Sequence, residues 1–226
     1  VQPVERLIDA VRGLVPGDRI AIYGENGPEW GLTYLAAMRA GLTAVPLDPQ
    51  LPASEAWNAA RFAGVKLMCA GRTTHEALRK GRMPPDAEVV TLAEGFIPPP
   101  AASRDPAPEP VRVDPDAIAS ILFTSGTTLK PKAVPLTHRN LLSNAQALLS
   151  VHRIGPCDEL LSVLPLYHVF EFTGGFLVPL GAGATVTYVE PLKGAEIVAA
   201  AQATGTTIML VVPRLLRMFL DSIESA

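Results

Sequence analysis

AIASILFTSGTTLKPKAVPLT, residues 117–137, passes from a nearly continuous apolar run through a hydroxyl-rich turn into a second, shorter apolar run. Ala117 to Phe123 has the length and the β-branched content of a strand covered on both faces. It ends abruptly at Thr124. Beyond the polar residues, AVPLT reads as a short strand rather than a helix, so the turn is a strand-to-strand loop. Thr137 is placed to cap a following helix, in which Leu141, Leu142, Ala145, Leu148 and Leu149 recur on one face as far as about Val151.

Working outward, the same alternation of strand and helix continues on both sides. Upstream, a strand is expected at Arg19 to Tyr23, a helix at Glu29 to Ala40 and strands at Thr43 to Leu47 and Val65 to Cys69, with helices near Ser54 to Phe62 and Thr73 to Lys80. Downstream, strands are expected at Leu160 to Leu164, Ala184 to Val189 and Thr207 to Val212. They are separated by helices near Val169 to Leu180 and Ala195 to Thr204, and a last helix starts around Pro213. This is an α/β pattern with mainly parallel sheets flanked by helices. In PPPAASRDPAPEPVRVDP, residues 98–115, proline removes donors and favours extended backbone, which makes it a surface linker. The expected organisation is therefore an α/β half over 1–97, the proline-rich linker over 98–115, and a second α/β half over 116–226 that carries the hydroxyl-rich loop.

Composition narrows the field of functions. The 226 residues are 48% hydrophobic and 18% charged, enough to bury a substantial core and far from a disordered acidic or basic tract. A net charge of −3 gives no general attraction for nucleic acid. The longest apolar stretches, such as Phe176 to Leu180 and Ile208 to Val212, fall well short of a membrane span of about 20 residues. Glu5, Arg6 and Asp9 do not fit the basic-then-apolar layout of a signal peptide, so a cytoplasmic setting is expected. Cys69 and Cys157 stand far apart, outside any CxxC or Cys/His cluster, and read as ordinary thiols rather than a disulfide or zinc site.

The chemistry is concentrated in TSGTTLKPK, residues 124–132. Thr124, Ser125, Thr127 and Thr128 offer hydroxyl donors, Gly126 lets the backbone approach closely, and a lysine supplies a point charge, a combination suited to a polyanion. The same composition also suits a solvated turn. It is not a Walker A loop, because Pro131 and Ala133 flank Lys132 where that pattern needs glycine and Ser or Thr. Nor is Ser125 in a GxSxG elbow, which weakens a serine hydrolase built on Ser125 and His168.

Ser125-Gly126-Thr127-Thr128 followed by Pro131-Lys132 resembles the phosphate-loop signature of the adenylate-forming superfamily, usually written TSGTTGxPKG. MRAGLTAVPLDP (38–49), LPLYH (164–168) and GDRIAIYGENGPEW (17–30) are similar to further motifs of that superfamily and stand in the family's order. The stretch LTHRNLLSNAQALL (136–149), with LSVLPLYHVFEFTGGFLVPL (161–180) and its Val169-Phe170-Glu171, looks most like bacterial long-chain fatty-acid ligases.

The resemblance implies the N-terminal part of the large domain of the acyl-CoA synthetase-like fold, and a two-step reaction. A carboxylate, here a long-chain fatty acid, attacks the α-phosphate of ATP to give acyl-AMP and pyrophosphate, and coenzyme A then takes the acyl group. Thr124, Ser125, Gly126, Thr127, Thr128 and Lys132 would grip the β- and γ-phosphates. His168 would shape the acyl and nucleotide pockets, although by itself it also reads as a histidine packed at a strand end. Mg2+ ligands, the adenine and ribose motifs and the mobile C-terminal lysine are expected beyond Ala226, so the catalytic set is incomplete and the isolated chain is expected to be inactive. Contact with a membrane surface and self-association through exposed apolar surface are compatible with this picture. The sequence departs from the family pattern at Leu129 and Ala133, which stand where glycines are usual. A non-catalytic nucleotide- or acyl-binding module derived from the family is the alternative.

Overall fold

The computed structural model describes residues 13–80, 88–92, 109–124, 132–189 and 194–224. They form an α/β protein of two compact units, Val1–Asn140 and Leu141–Ala226.

The first unit is built on a six-stranded sheet in the order β4-β3-β1-β2-β5-β6. The strands are β1 (Arg19–Tyr23), β2 (Thr43–Leu47), β3 (Val65–Gly71), β4 (Glu88–Leu92), β5 (Ile118–Thr124) and β6 (Lys132–Thr137). β1 to β5 run parallel, and β6 closes the edge antiparallel to β5. The helices are α1 (Pro28–Arg39), α2 (Ala53–Phe62) and α3 (Arg72–Lys80). β2 lies to one side of β1 and β3 to the other, so the two right-handed crossovers put α1 and α2 on opposite faces. Side-chain alternation along β1 follows this: Ala21 and Tyr23 join Val45, Leu47, Met68, Ala70 and Ile121 in a cluster with Ala56 and Ala60 of α2 and Leu78 of α3. On the α1 side, the buried Tyr34 hydroxyl meets Ser120 Oγ of β5 at 2.9 Å. Where α1 turns into β2, Gly41 has φ +70 and a β-carbon there would press on Pro16, Val111 and Val113, so only glycine suits the turn.

α4 (His138–Val151) starts as the spacing predicts. Thr137 Oγ1 accepts from the Asn140 N–H and Asn140 Oδ1 accepts from the Thr137 N–H, both at 3.1 Å, a reciprocal cap. The division between units falls inside the first turn of this helix.

The second unit has a three-stranded parallel sheet, order β8-β7-β9, from β7 (Glu159–Ser162), β8 (Thr185–Tyr188) and β9 (Ile208–Met209). The Thr207 hydroxyl ties the starts of β7 and β9, donating to Asp158 at 2.8 Å and accepting from the Glu159 N–H at 3.0 Å. After β7 come α5 (Val169–Glu171), a π-helical stretch over Phe172–Leu177 and α6 (Val178–Ala182), end to end. α7 (Gly194–Thr204), through its buried Ile197, and α8 (Pro213–Glu224) pack together over Leu161 and Val163.

Four differences from the sequence reading have physical causes. β5 and β6, assigned by sequence to the second half, are hydrogen-bonded into the first sheet, so the compact units divide after Asn140 and not at the 98–115 stretch. β4 was not foreseen, although Val89, Val90 and Thr91 carry a β-branched signal. The strand expected over Thr207 to Val212 shrinks to two residues, because the Val212 carbonyl accepts from Leu215 and Leu216 and the chain is already turning into α8. The helix expected over Val169 to Leu180 contains the π-helical stretch. No helix among the described residues is long and apolar enough to cross a membrane.

Candidate functional site

The hydroxyl-rich loop is held by a closed antiparallel ladder. Phe123 pairs with Ala133 and Thr124 with Lys132, so the last residue of β5 and the first of β6 stand opposite each other where the loop leaves and returns. Both are exposed. Residues 125–131 lie outside the described residues, and with them Ser125, Gly126, Thr127, Thr128 and Leu129. Ala133 is half-buried and packs on the apolar cluster beneath it, and no described non-glycine residue has positive φ. Alanine therefore fits this position without backbone strain.

β5 runs parallel to β1 and β2, so the loop emerges at the edge where all the parallel strands end, the edge at which open α/β sheets take ligands. That edge is electrostatically uneven. Over β1 it is acidic: burial, then Asp48, then Glu25 push the Tyr23 phenol up, and Glu25 Oε1 is buried without a hydrogen-bond partner among the described residues. The Tyr23 hydroxyl is also committed, donating to the Leu51 carbonyl at 2.5 Å. At the β5–β6 end of the same edge Lys132 is exposed.

In the second unit, His168 occupies the loop that follows β7. It is exposed, with extended backbone (φ −92, ψ 134) as the N-cap of α5, and is not packed at the strand end. Its N–H donates to the Pro165 carbonyl at 3.1 Å and its carbonyl accepts from the Phe172 N–H at 2.9 Å, which fixes the backbone while leaving the ring accessible. The half-buried Tyr167 ring lies 4.4 Å from it, centroid to centroid.

Beside this loop is a buried polar cluster that sequence reasoning missed. Glu171 is 1% exposed and accepts from the Ser162 hydroxyl at 2.6 Å. Its other oxygen, and the nearby Thr173 hydroxyl, are buried with no hydrogen-bond partner among the described residues. Burial raises the Glu171 carboxyl to about 7 despite the Ser162 bond, and burial and then Glu171 raise Tyr188 to about 12. The available sequence signal was an acidic residue inside an otherwise apolar helix, VFEFTGGFL. Among the described residues no group of three or more His, Cys, Asp or Glu is placed to hold a metal ion. Cys69 is buried in β3, where burial pushes its thiol up to about 12, and Cys157 is exposed.

The sequence model of the family described as AMP-binding enzyme matches residues 6–226. The chain belongs to the AMP-binding enzyme family. It is 35% identical over 183 residues to an oxalate–CoA ligase of Arabidopsis thaliana, covering 77% of this chain and 35% of that protein. It is 30% identical over 217 residues to a fatty acid–[acyl-carrier-protein] ligase of Streptomyces coeruleorubidus, covering 92% and 41%. In structure it resembles apo MatB from Rhodopseudomonas palustris (TM-score 0.81, 27% identity, 97% of this chain and 44% of that one). It also resembles the N-terminal domain of FACL13 from Mycobacterium tuberculosis (TM-score 0.80, 26% identity, 96% and 56%). The α/β fold with mostly parallel sheets is thus that of the N-terminal domain of acyl-CoA synthetase-like structures. The chain spans less than half the length of these curated relatives.

Proposed function

We propose that this chain is the N-terminal portion of an ATP-dependent, AMP-forming acid–thiol ligase, and that its acid is a long-chain fatty acid. The observation that carries the reading is the closed β5–β6 ladder, which puts Thr124 and Lys132 opposite each other at the ligand edge of the parallel sheet. In the first step a carboxylate oxygen bonds to the α-phosphorus of ATP, and the bond to the bridging oxygen breaks with its electron pair leaving on pyrophosphate. In the second, the sulfur of coenzyme A bonds to the acyl carbon, AMP leaves, and the thiol proton is released. Thr124, Ser125, Thr127 and Thr128 donate to the β- and γ-phosphate oxygens, Gly126 lets the backbone come close, and Lys132 offsets the charge that builds on the leaving group. His168, exposed at the head of α5, shapes the acyl and nucleotide pockets. Mg2+ would neutralise phosphate charge, but the described residues offer no ligand set for it, so no step here is routed through it. The setting is cytoplasmic, with contact at membrane surfaces where such acids partition.

The fatty-acid assignment draws on the 161–180 stretch and on the fatty-acid ligase among the relatives; other relatives are named for oxalate and sulfoacetate. Acid-dependent exchange of pyrophosphate into ATP by the product of the uninterrupted reading frame tests it. Exchange with long-chain fatty acids is expected. Exchange with oxalate or sulfoacetate alone would keep the ligase and overturn the acid, and no exchange with any acid would leave the non-catalytic nucleotide- or acyl-binding module.

A further inference from the structure

Ser162 is the last residue of β7 and Glu171 the last of α5, so the 2.6 Å bond between them closes the base of the loop that carries Tyr167 and His168. The carboxyl has a made-to-measure seat. A β-carbon at Gly175, one turn further on, would fall inside van der Waals contact with the Glu171 carboxyl group, so glycine is what lets the acid fold back over the helix. The helix is π-helical at that point, the geometry that accompanies an inserted or displaced side chain in functional regions. Ser162 is also the register partner of Tyr188 at the end of β8, so the seat lies at the C-terminal edge of the second parallel sheet.

From this geometry we infer that Glu171 is a positioning residue: in its protonated form its carboxyl clasps the His168 loop to β7, and ionisation opens the clasp. The part that assigns this loop to the ligand site rests on the function proposed above; the clasp itself does not.

The surroundings explain why the clasp is proton-linked. The carboxyl meets Ser162 from β7 and Gly175 of the π-helical stretch and interacts with Tyr188 from β8, while Phe172 and Phe176 beside it in sequence are buried and the α6 segment VPLGA carries no ionisable group. His168 stands three residues before it on the exposed side. Among the described residues no basic side chain pairs with Glu171, so an anion there has one hydroxyl donor and nothing to offset its charge. With the loop open, the carboxyl is solvated and titrates in the ordinary range near 4.5; closed, it titrates near 7. Opening therefore releases a proton between these values and becomes easier as pH rises through them, then levels off once the acid is ionised in both states.

Hydrogen exchange of the 163–176 segment, read by mass spectrometry and corrected for intrinsic rates, tests this without ATP or turnover. In the wild-type chain, protection of this segment, which includes the Phe172 N–H on His168, should fall by at least about tenfold between pH 5 and 7.5. Amides elsewhere in the unit that exchange by local opening away from Glu171 should keep their protection over that range. Glu171→Gln, which keeps the shape and mimics the neutral acid, should be protected at every pH with no such fall, and Ser162→Ala should lower protection throughout while keeping the fall. A Glu171→Gln chain with the wild-type pH dependence, or a wild-type segment whose protection does not change with pH, overturns the inference. Because the readout needs no nucleotide, failure of the ligase assignment would leave this result unaffected, and failure of the clasp would leave the ligase assignment standing.

Discussion

At the scale of single residues, the structure rests on a few polar groups in apolar surroundings. Tyr34 and Ser120 are fully buried and bonded to one another at 2.9 Å, joining α1 to β5 across 86 positions of sequence. Removing the phenol strands the serine hydroxyl in a dry site, at a cost of about 1–3 kcal/mol. Tyr34→Phe should therefore lower stability to denaturant by that amount, and Tyr34→Phe with Ser120→Ala should recover part of the loss, since both partners are then gone. Simple additivity of the two substitutions would mean that the bond contributes nothing. Gly175→Ala should destabilise the second unit by roughly 1–3 kcal/mol through overpacking against the Glu171 carboxyl. Adding Glu171→Ala should relieve the clash, and a double-mutant cycle by thermal unfolding measures that coupling.

Elements show where sequence suffices and where it does not. β1, β2, β5 and α4 were legible because strand runs buried on both faces, and a Thr cap ahead of a one-sided apolar helix, are local signals. Thr137→Ala should cost about 1 kcal/mol by loss of the reciprocal cap with Asn140, seen as a shift in the denaturation midpoint. The 172–177 stretch was not legible as a π-helix. It coincides with Glu171 reaching back to Ser162 over Gly175 and with Leu210 against Gly174, contacts that are invisible to periodicity. For the same reason Glu171 reads in sequence as a family marker and only in three dimensions as a buried acid. Of the candidate site, the residues that frame the loop were legible from composition and order. The unit boundary was not, because a proline-rich stretch marks a break in local structure and says nothing about which sheet the next strand joins.

For the whole molecule, pH enters through the buried acid. Glu171 titrates near 7 in the folded chain against about 4.5 when solvated, so the folded state holds the extra proton between these values. Stability should fall as pH rises from about 4.5 to 7 and then level, and Glu171→Gln should flatten that part of the profile in thermal unfolding. Exposed Leu216 and Leu220 on α8, with Leu142 on α4, offer apolar surface for self-association, which light scattering at rising concentration should show as growth beyond the monomer. In the function proposed above, the loop between β5 and β6 grips a polyphosphate at the C-terminal edge of the first sheet. Lys132 opens β6 opposite Thr124, whereas Lys130 falls within the loop at the family's variable position. The most direct test is calorimetric titration of ATP and of pyrophosphate into the wild-type, Lys132→Ala and Lys130→Ala chains. Loss of a charge-assisted phosphate contact should weaken binding by about 1.5–3 kcal/mol, roughly ten- to a hundredfold, for Lys132→Ala, with only tenths for Lys130→Ala. No binding by the wild-type chain, or an equal or larger loss for Lys130→Ala, would contradict the assignment of the grip.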